Sequence, residues 1–133
     1  MKTFTESEEN YIKALYHLGG GAPVSNGELA ERLGAKGSSV TQAVKRLEGK
    51  GLVDVVPYKG VQLTEAGSAL ALDILRKHRL WEVFLVEHLH FGWEQVHEIA
   101  EQLEHVQSPE LVDRLAAFLG HPKVDPHGDP IPE

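Results

Sequence analysis

At Gly51 the spacing of apolar residues changes, and no other feature of the chain restricts the fold as much. Before it, three short stretches place apolar residues at helical intervals. The first, ESEENYIKALYHL at residues 6–18, carries Tyr11, Ile12, Leu15, Tyr16 and Leu18. The break GGGAPV follows, and Ser25 then offers a cap for NGELAERL, whose Leu29 and Leu33 face inward. After GAKG, the stretch SSVTQAVKRLEGKG carries the stripe Val40, Val44 and Leu47 and is expected to end at Gly51. Beyond Gly51, LVDVV and VQL are strand-like runs, joined by PYKG as a hairpin tip.

Helical spacing then returns. Thr64, Glu65 and Gly67 open a long segment, TEAGSALALDILRKHRLWEVFLVEHL, and residues 93–106 form another. SPELVDRLAAFLG is a third, with Ser108 as cap and Pro109 in its first turn. The tail HPKVDPHGDPIPE holds four prolines in thirteen residues and is expected to be extended. The chain shows no internal repeat and no low-complexity tract.

Composition excludes several chemistries. The 133 residues include no cysteine, so disulfides, thiolate metal sites and a cysteine nucleophile are ruled out. No apolar run approaches the ~18 residues of a membrane span, and MKTFTESEEN lacks the basic start and apolar centre of an export signal. A soluble cytoplasmic protein is the expectation. The net charge of −7 is unevenly spread. Residues 32–60 hold six basic side chains against Glu48 and Asp54, whereas residues 80–133 hold eleven acids against Arg114 and Lys123. A basic stretch inside an acidic chain points to an anionic partner.

Helix, helix–turn–helix and hairpin, in that order, make a winged helix–turn–helix pattern. A helix of the third segment's length fits the major groove of duplex DNA. Off its apolar stripe it carries Ser38, Ser39, Thr41, Gln42, Lys45 and Arg46, which can meet base edges and phosphates. Lys59 at the hairpin tip extends the same basic surface. A small α+β module with a merely polar helix face would share the pattern without the coincident basic wing.

The stretch VHEIAEQLEH, residues 96–105, nearly spells a zinc-peptidase motif. That motif needs histidines at its first and fifth positions, and Glu101 stands in the fifth. At ~100° per residue, His97, Glu101, Glu104 and His105 share about a third of a helix circumference, while Val96, Ile99, Ala100 and Leu103 fill the adjoining arc. On the preceding helix His78 and Glu82, four apart, share one face. Two imidazole-and-carboxylate faces on successive helices suit a divalent cation. Glu104 and His105 fall on the polar side, so truncating either is expected to open no core cavity.

SEENYIKALYHL, SSVTQAVKRLEGKGLV, LTEAGSALALDILRKHRLWE, VHEIAEQLEHVQSPELVDRL and HGDPIP together carry a resemblance to the DtxR/MntR family of metal-dependent transcriptional repressors. The resemblance implies a mostly α fold with an α+β wing. A winged helix–turn–helix DNA-binding domain would span residues 1–63 and a helical dimerisation and metal-binding domain residues 64–120. An extended proline-rich tail, 121–133, would follow. It implies a homodimer on a palindromic double-stranded operator, no enzymatic activity, and a metal corepressor for metal-homeostasis genes. His78, Glu82 and His97 match an ancillary site, and Glu101, Glu104 and His105 an effector site. A further effector ligand from the first helix falls on Asn10, a neutral amide where manganese-type members have Asp. Glu101 stands where iron-type members carry Cys, which favours Mn²⁺ over Fe²⁺, since oxygen donors suit harder cations. Many members continue past the GDPIP segment into an SH3-like domain that this sequence does not include. Two other classes stay open on the residues alone: a winged-helix regulator of an organic ligand, which has no use for the His/Glu faces, and a metal-dependent hydrolase, which requires an open coordination position.

Overall fold

The computed structural model describes residues 4–133. They form two compact units, one ending at Ala71 and the other spanning Leu72–Glu133, with the division inside a helix.

The first unit runs α1 (Glu6–Gly19), α2 (Asn26–Leu33), α3 (Gly37–Gly49), β1 (Val53–Val56), β2 (Gly60–Leu63) and the start of α4 (Glu65–Glu87). Thr5 starts α1 with a capping box: its hydroxyl accepts from Glu8 N, and the Glu8 carboxylate accepts from Thr5 N at 2.9 Å. Ser25 caps α2 as its position suggests, and Gly34 closes that helix at φ 60°. Ile12, Leu15, Leu29, Val40, Leu47 and Val53 are each no more than 1% exposed. Burial of side chains of this size contributes about 2 kcal/mol apiece. The three helices pack on one another, with α1 against β2 and α3 against β1.

β1 and β2 pair antiparallel, from Val53 opposite Leu63 to Val56 opposite Gly60. Val24 extends this ladder, exchanging two backbone hydrogen bonds with Val61. At the tip, Lys59 N donates to Val56 O with Pro57 and Tyr58 between, and Tyr58 has φ 66°. These are the marks of a type II turn, whose third position favours glycine or asparagine. Tyrosine there costs about 1 kcal/mol, and its ring is fully exposed.

The second unit contains the rest of α4, α5 (Val96–Leu103) and α6 (Pro109–Phe118). Leu80, Val112, Leu115 and Ala116 form its core, with Trp81, Phe84, Leu119 and Ile131 packed around them. α5 is shorter than the helix expected over 93–106. Residues 92–95 make a turn instead, with Gln95 N donating to Gly92 O and the Gln95 side chain accepting from Gly92 N. At the other end Glu104 is the C-cap, and Val106 N turns back onto Leu103 O.

Residues 121–133 depart from the extended chain that four prolines suggest. Val124 bridges Pro130, Ile131 N donates to Lys123 O, and Arg79 donates to the Pro130 carbonyl. Within the turn, Asp125 Oδ1 accepts from the backbone N–H groups of His127 and Asp129 at 2.9 and 2.8 Å. Proline removes donors and fixes φ, so the remaining N–H groups, held by one carboxylate, decide the shape. Among the described residues no helix is long and apolar enough to cross a membrane.

Candidate metal centre and nucleic-acid interface

Glu82, one helical turn beyond His78 on α4, is 1% exposed. Its Oε2 is shielded from solvent and has no hydrogen-bond partner. Three imidazole nitrogens surround that atom: His78 Nε2 at 3.3 Å, His127 Nδ1 at 3.5 Å and His97 Nδ1 at 3.9 Å. An isolated buried carboxylate oxygen is costly, and a ring of nitrogen donors around it is what a divalent cation completes. The fit is therefore chemical as well as spatial. His78, Glu82 and His97 can offer ligand atoms within 4.8 Å of one another, and so can Glu82, Asp125 and His127. Glu82 belongs to both sets.

The other face of His78 meets α5's end. Its Nδ1 lies 2.7 Å from Glu104 Oε1, a carboxylate that is fully buried. Burial alone would lower the His78 pKa, but the carboxylates of Glu104 first, which accepts from the ring, and of Glu82 next prevail and raise it to about 9. Burial likewise pushes Glu82 up, yet His78 first and Asp125 next hold it below its ordinary value. Asp125 is raised by burial and by the Glu82 carboxylate. For His127, burial's lowering is outweighed by the Trp93 carbonyl and by Glu82 and Asp125, so its pKa rises. Trp93 O lies 2.7 Å from His127 Nε2, which keeps the N–H on that nitrogen and turns Nδ1 towards Glu82.

A pH dependence follows. The metal-free protein holds a proton on His78 that a cation must displace. Apparent metal affinity should therefore fall at least about tenfold for each pH unit below 9, as His78 releases its proton to each ion bound, and more steeply at the lower end, where His127 must lose one too. The metal-free fold behaves in the opposite sense. A pKa raised above the unfolded value gives stability that is complete below about 6.5 and lost as pH climbs through 9. Calorimetric titrations in buffers of different protonation enthalpy, between pH 6 and 9, check the first statement. Melting curves of metal-free protein over the same range check the second.

His78, Glu82 and His97 come together as anticipated. Glu104 joins His78, and His105 Nε2 lies 3.6 Å from Glu104 Oε2. Glu101 stands 3.7 Å from His97, with both side chains about half-exposed. The expectation that Glu104 can be truncated without disturbing the interior is overturned: the helix ends at Leu103, three residues short of the expected end, and the carboxylate turns inward to the buried His78. Asn10 lies half-buried on α1, in the first unit. Asp125 and His127 were not among the ligands named from sequence. Their signal was present in DPHGD, two turn-forming dipeptides that set three ligand-type side chains within five residues.

On the first unit, Ser38, Ser39, Thr41, Gln42, Lys45 and Arg46 are all exposed on α3, and Lys59 is exposed on the wing. Thr41 Oγ1 donates to Gly37 O, and the amide end of α3 has no side-chain cap. Thr41, Lys45 and Glu48 line one wall of a groove of about 510 Å³ whose other wall is Val55, Tyr58 and Lys59.

Residues 3–61 match the family model described as the iron-dependent repressor N-terminal DNA-binding domain, and residues 64–133 match the metal-binding and dimerisation domain of the same family. The chain is 39% identical over 133 residues to the iron-dependent repressor IdeR of Mycobacterium tuberculosis, covering 99% of this chain and 58% of that protein. It is 37% identical to the diphtheria toxin repressor of Corynebacterium diphtheriae, covering 99% of this chain and 59% of the other. Among solved structures, a manganese-dependent transcriptional repressor in complex with manganese superposes with a TM-score of 0.82 at 41% identity. That match covers 95% of this chain and 58% of the other. The repressor ScaR with bound Zn²⁺ gives 0.84 at 42%, covering 95% and 59%. A hypothetical protein of Sulfolobus solfataricus gives 0.83 at 29%, covering 98% of this chain and 100% of its own. The chain thus spans somewhat under three-fifths of the curated relatives it matches.

Proposed function

The chain belongs to the iron-dependent repressor family, and on that premise we propose that it is a metal-dependent transcriptional repressor with a divalent cation as corepressor. The observation that carries the metal half of this reading is the buried, unpartnered Glu82 Oε2 within a ring of three imidazole nitrogens. The proposed ligands form two sets: Glu101, Glu104, His105 and Asn10 for the effector ion, and His78, Glu82 and His97, joined by Asp125 and His127, for an ancillary ion. All are nitrogen or oxygen donors, which suits Mn²⁺ first and Fe²⁺ second. A bound cation supplies positive charge at the Glu82 and Glu104 carboxylates and takes imidazole lone pairs. The protein's own contribution is to hold those rings in the right tautomer and to exclude water from Glu82.

The DNA half rests on α3 and the wing. Ser38, Ser39, Thr41, Gln42, Lys45 and Arg46 are the proposed groove contacts, with Lys59 at a backbone phosphate. In a homodimer the two recognition helices would address half-sites about 34 Å apart on a palindromic operator. Metal raises DNA affinity only insofar as it binds the DNA-competent conformer better. Such a protein works where the chromosome is, in the cytoplasm.

The test is an operator selected from random duplex DNA, titrated in parallel with Mn²⁺, Fe²⁺, Zn²⁺ and no metal. Equal affinity in all four arms overturns the corepressor reading. On that operator, Lys45→Ala should weaken binding to every sequence and reduce the salt slope by about one unit. Gln42→Ala should relax preference at one base pair, a loss of about 1–3 kcal/mol. If neither variant moves affinity, α3 is not the reading helix. Asn10→Asp is expected to tighten Mn²⁺ binding by adding a charge to the ligand set. Parental manganese affinity in that variant removes Asn10 from the set.

A further inference from the structure

Lys77 is 4% exposed, an unusual place for an ammonium group. Its Nζ donates to the carbonyl of Val106 at 3.4 Å and lies 3.6 Å from the half-exposed carboxylate of Asp73. Neither partner repays the removal of a charge from water very well, and an apolar side chain of the same length would fill the space. Val106 directly follows Glu104 and His105. These residues lie beyond the end of α5, and Glu104 N, bonded to Ala100 O, is the last amide in that helix's pattern. Residues 104–107 therefore have no helix of their own to position them. On the facing helix, the residue next to Lys77 is His78, whose ring meets Glu104 at 2.7 Å. Two consecutive side chains of α4 thus grip the short segment at two points, one by a carboxylate and one by a main-chain carbonyl.

We infer that Lys77 is a positioning residue for the metal centre, its ammonium anchoring the Val106 carbonyl and so setting where Glu104 and His105 stand. The inference rests on the proposed role of Glu104 and His105 as ligands. Lys77 itself, lacking a lone pair when charged, ligates nothing. Its effect is on the angle and reach of two donors, so it belongs to the class of outer partners whose loss costs about 10–100-fold in metal affinity. Asp73 should matter little, because it is half-exposed and its removal leaves the carbonyl contact in place.

The experiment compares Lys77→Met, Lys77→Gln, Lys77→Arg and Asp73→Asn with the parent in the full chain. Mn²⁺ affinity is read by calorimetry and ligand geometry by the visible absorption of the Co²⁺ form. Glu104→Gln is the reference for the site itself. The expected result is a loss of at least about tenfold in Mn²⁺ affinity for Lys77→Met, with a changed Co²⁺ spectrum. Lys77→Gln, whose amide is too short to reach Val106, should behave alike, and it serves if the methionine variant does not fold. Lys77→Arg, which can still donate to the carbonyl, should restore affinity to within about threefold of the parent, and Asp73→Asn should match the parent. A folded Met or Gln variant with parental affinity and spectrum, beside a defective Glu104→Gln, overturns the role of Lys77 and leaves the site reading standing. An arginine variant as defective as methionine also overturns it. Parental affinity in Glu104→Gln overturns the site reading and this inference with it.

Discussion

Glu104→Gln should leave a folded protein that no longer answers to metal. The carboxylate is fully buried and stands 2.7 Å from His78 Nδ1, with His105 3.6 Å from its other oxygen. Glutamine keeps the volume, so no cavity opens, and its amide oxygen still accepts from the imidazole. What disappears is the charge. A neutral amide is a weak ligand, and the His78 imidazolium loses the largest interaction holding its proton. Mn²⁺ affinity should drop by about two orders of magnitude, and operator binding should become the same with and without metal. Alanine would be a poor choice, because it would strand a buried imidazolium beside a void. Calorimetry gives the affinity, and circular dichroism shows whether the fold survived. A glutamine variant that still switches on operator binding with Mn²⁺ excludes Glu104 from the effector ligands.

The second large effect lies in the wing and has nothing to do with metal. Gly60 has φ 119°, a region that side chains of L residues rarely enter, and a Cβ there would stand 2.2 Å from Val24 O and 2.6 Å from Val24 C. Both obstacles are backbone, fixed by the paired hydrogen bonds between Val24 and Val61. No rotamer change relieves them. Gly60→Ala should cost the first unit several kcal/mol, on the order of 3 or more, through strain and the broken Val24–Val61 bridge. Hydrogen exchange should report it locally: the amides of Val24 and Val61 lose protection, while those of Leu115 and Ala116 keep theirs. Gly49→Ala is the contrast. At the end of α3 with open space around its Cβ, it should be neutral or stabilise by up to about 1 kcal/mol. If Gly60→Ala melts with the parent, the wing backbone is far more pliable than the ladder implies.

The first unit was readable because its signals are local. Ser25 before NGELAERL, the change of apolar spacing at Gly51 and the PYKG tip each act within a few residues, and the structure follows them. His78 and Glu82 were legible for the same reason, four residues apart on one helix. The helical wheel failed at Glu104. It assumed a helix continuing to residue 106, whereas the helix stops at Leu103 and the carboxylate turns to a partner 26 positions back in the chain. Asp125 and His127 were missed for a related reason. Prolines announced an extended tail, and the turn depends on one carboxylate accepting two amides and on Trp93 O meeting His127, contacts without any periodic signature.

Glu8 has a consequence for anyone who scans this chain by mutation. One carboxylate completes the capping box of α1 with Thr5 and also meets Lys50 Nζ at 2.8–2.9 Å, the residue that closes α3. Two helix ends depend on it, and no substitution supplies both the reach and the charge. Aspartate is a methylene short, and glutamine can fill the box without the ion pair. In a library scored by reporter repression alone, Glu8 would cluster with the metal ligands as an intolerant acidic position. Scored by protein abundance it would separate from them, falling in yield where Glu104→Gln does not. An acidic side chain held by the Thr5 amide and the Lys50 ammonium would then be recognised as architecture, and an inventory of ligands drawn from intolerance alone would be one residue too long.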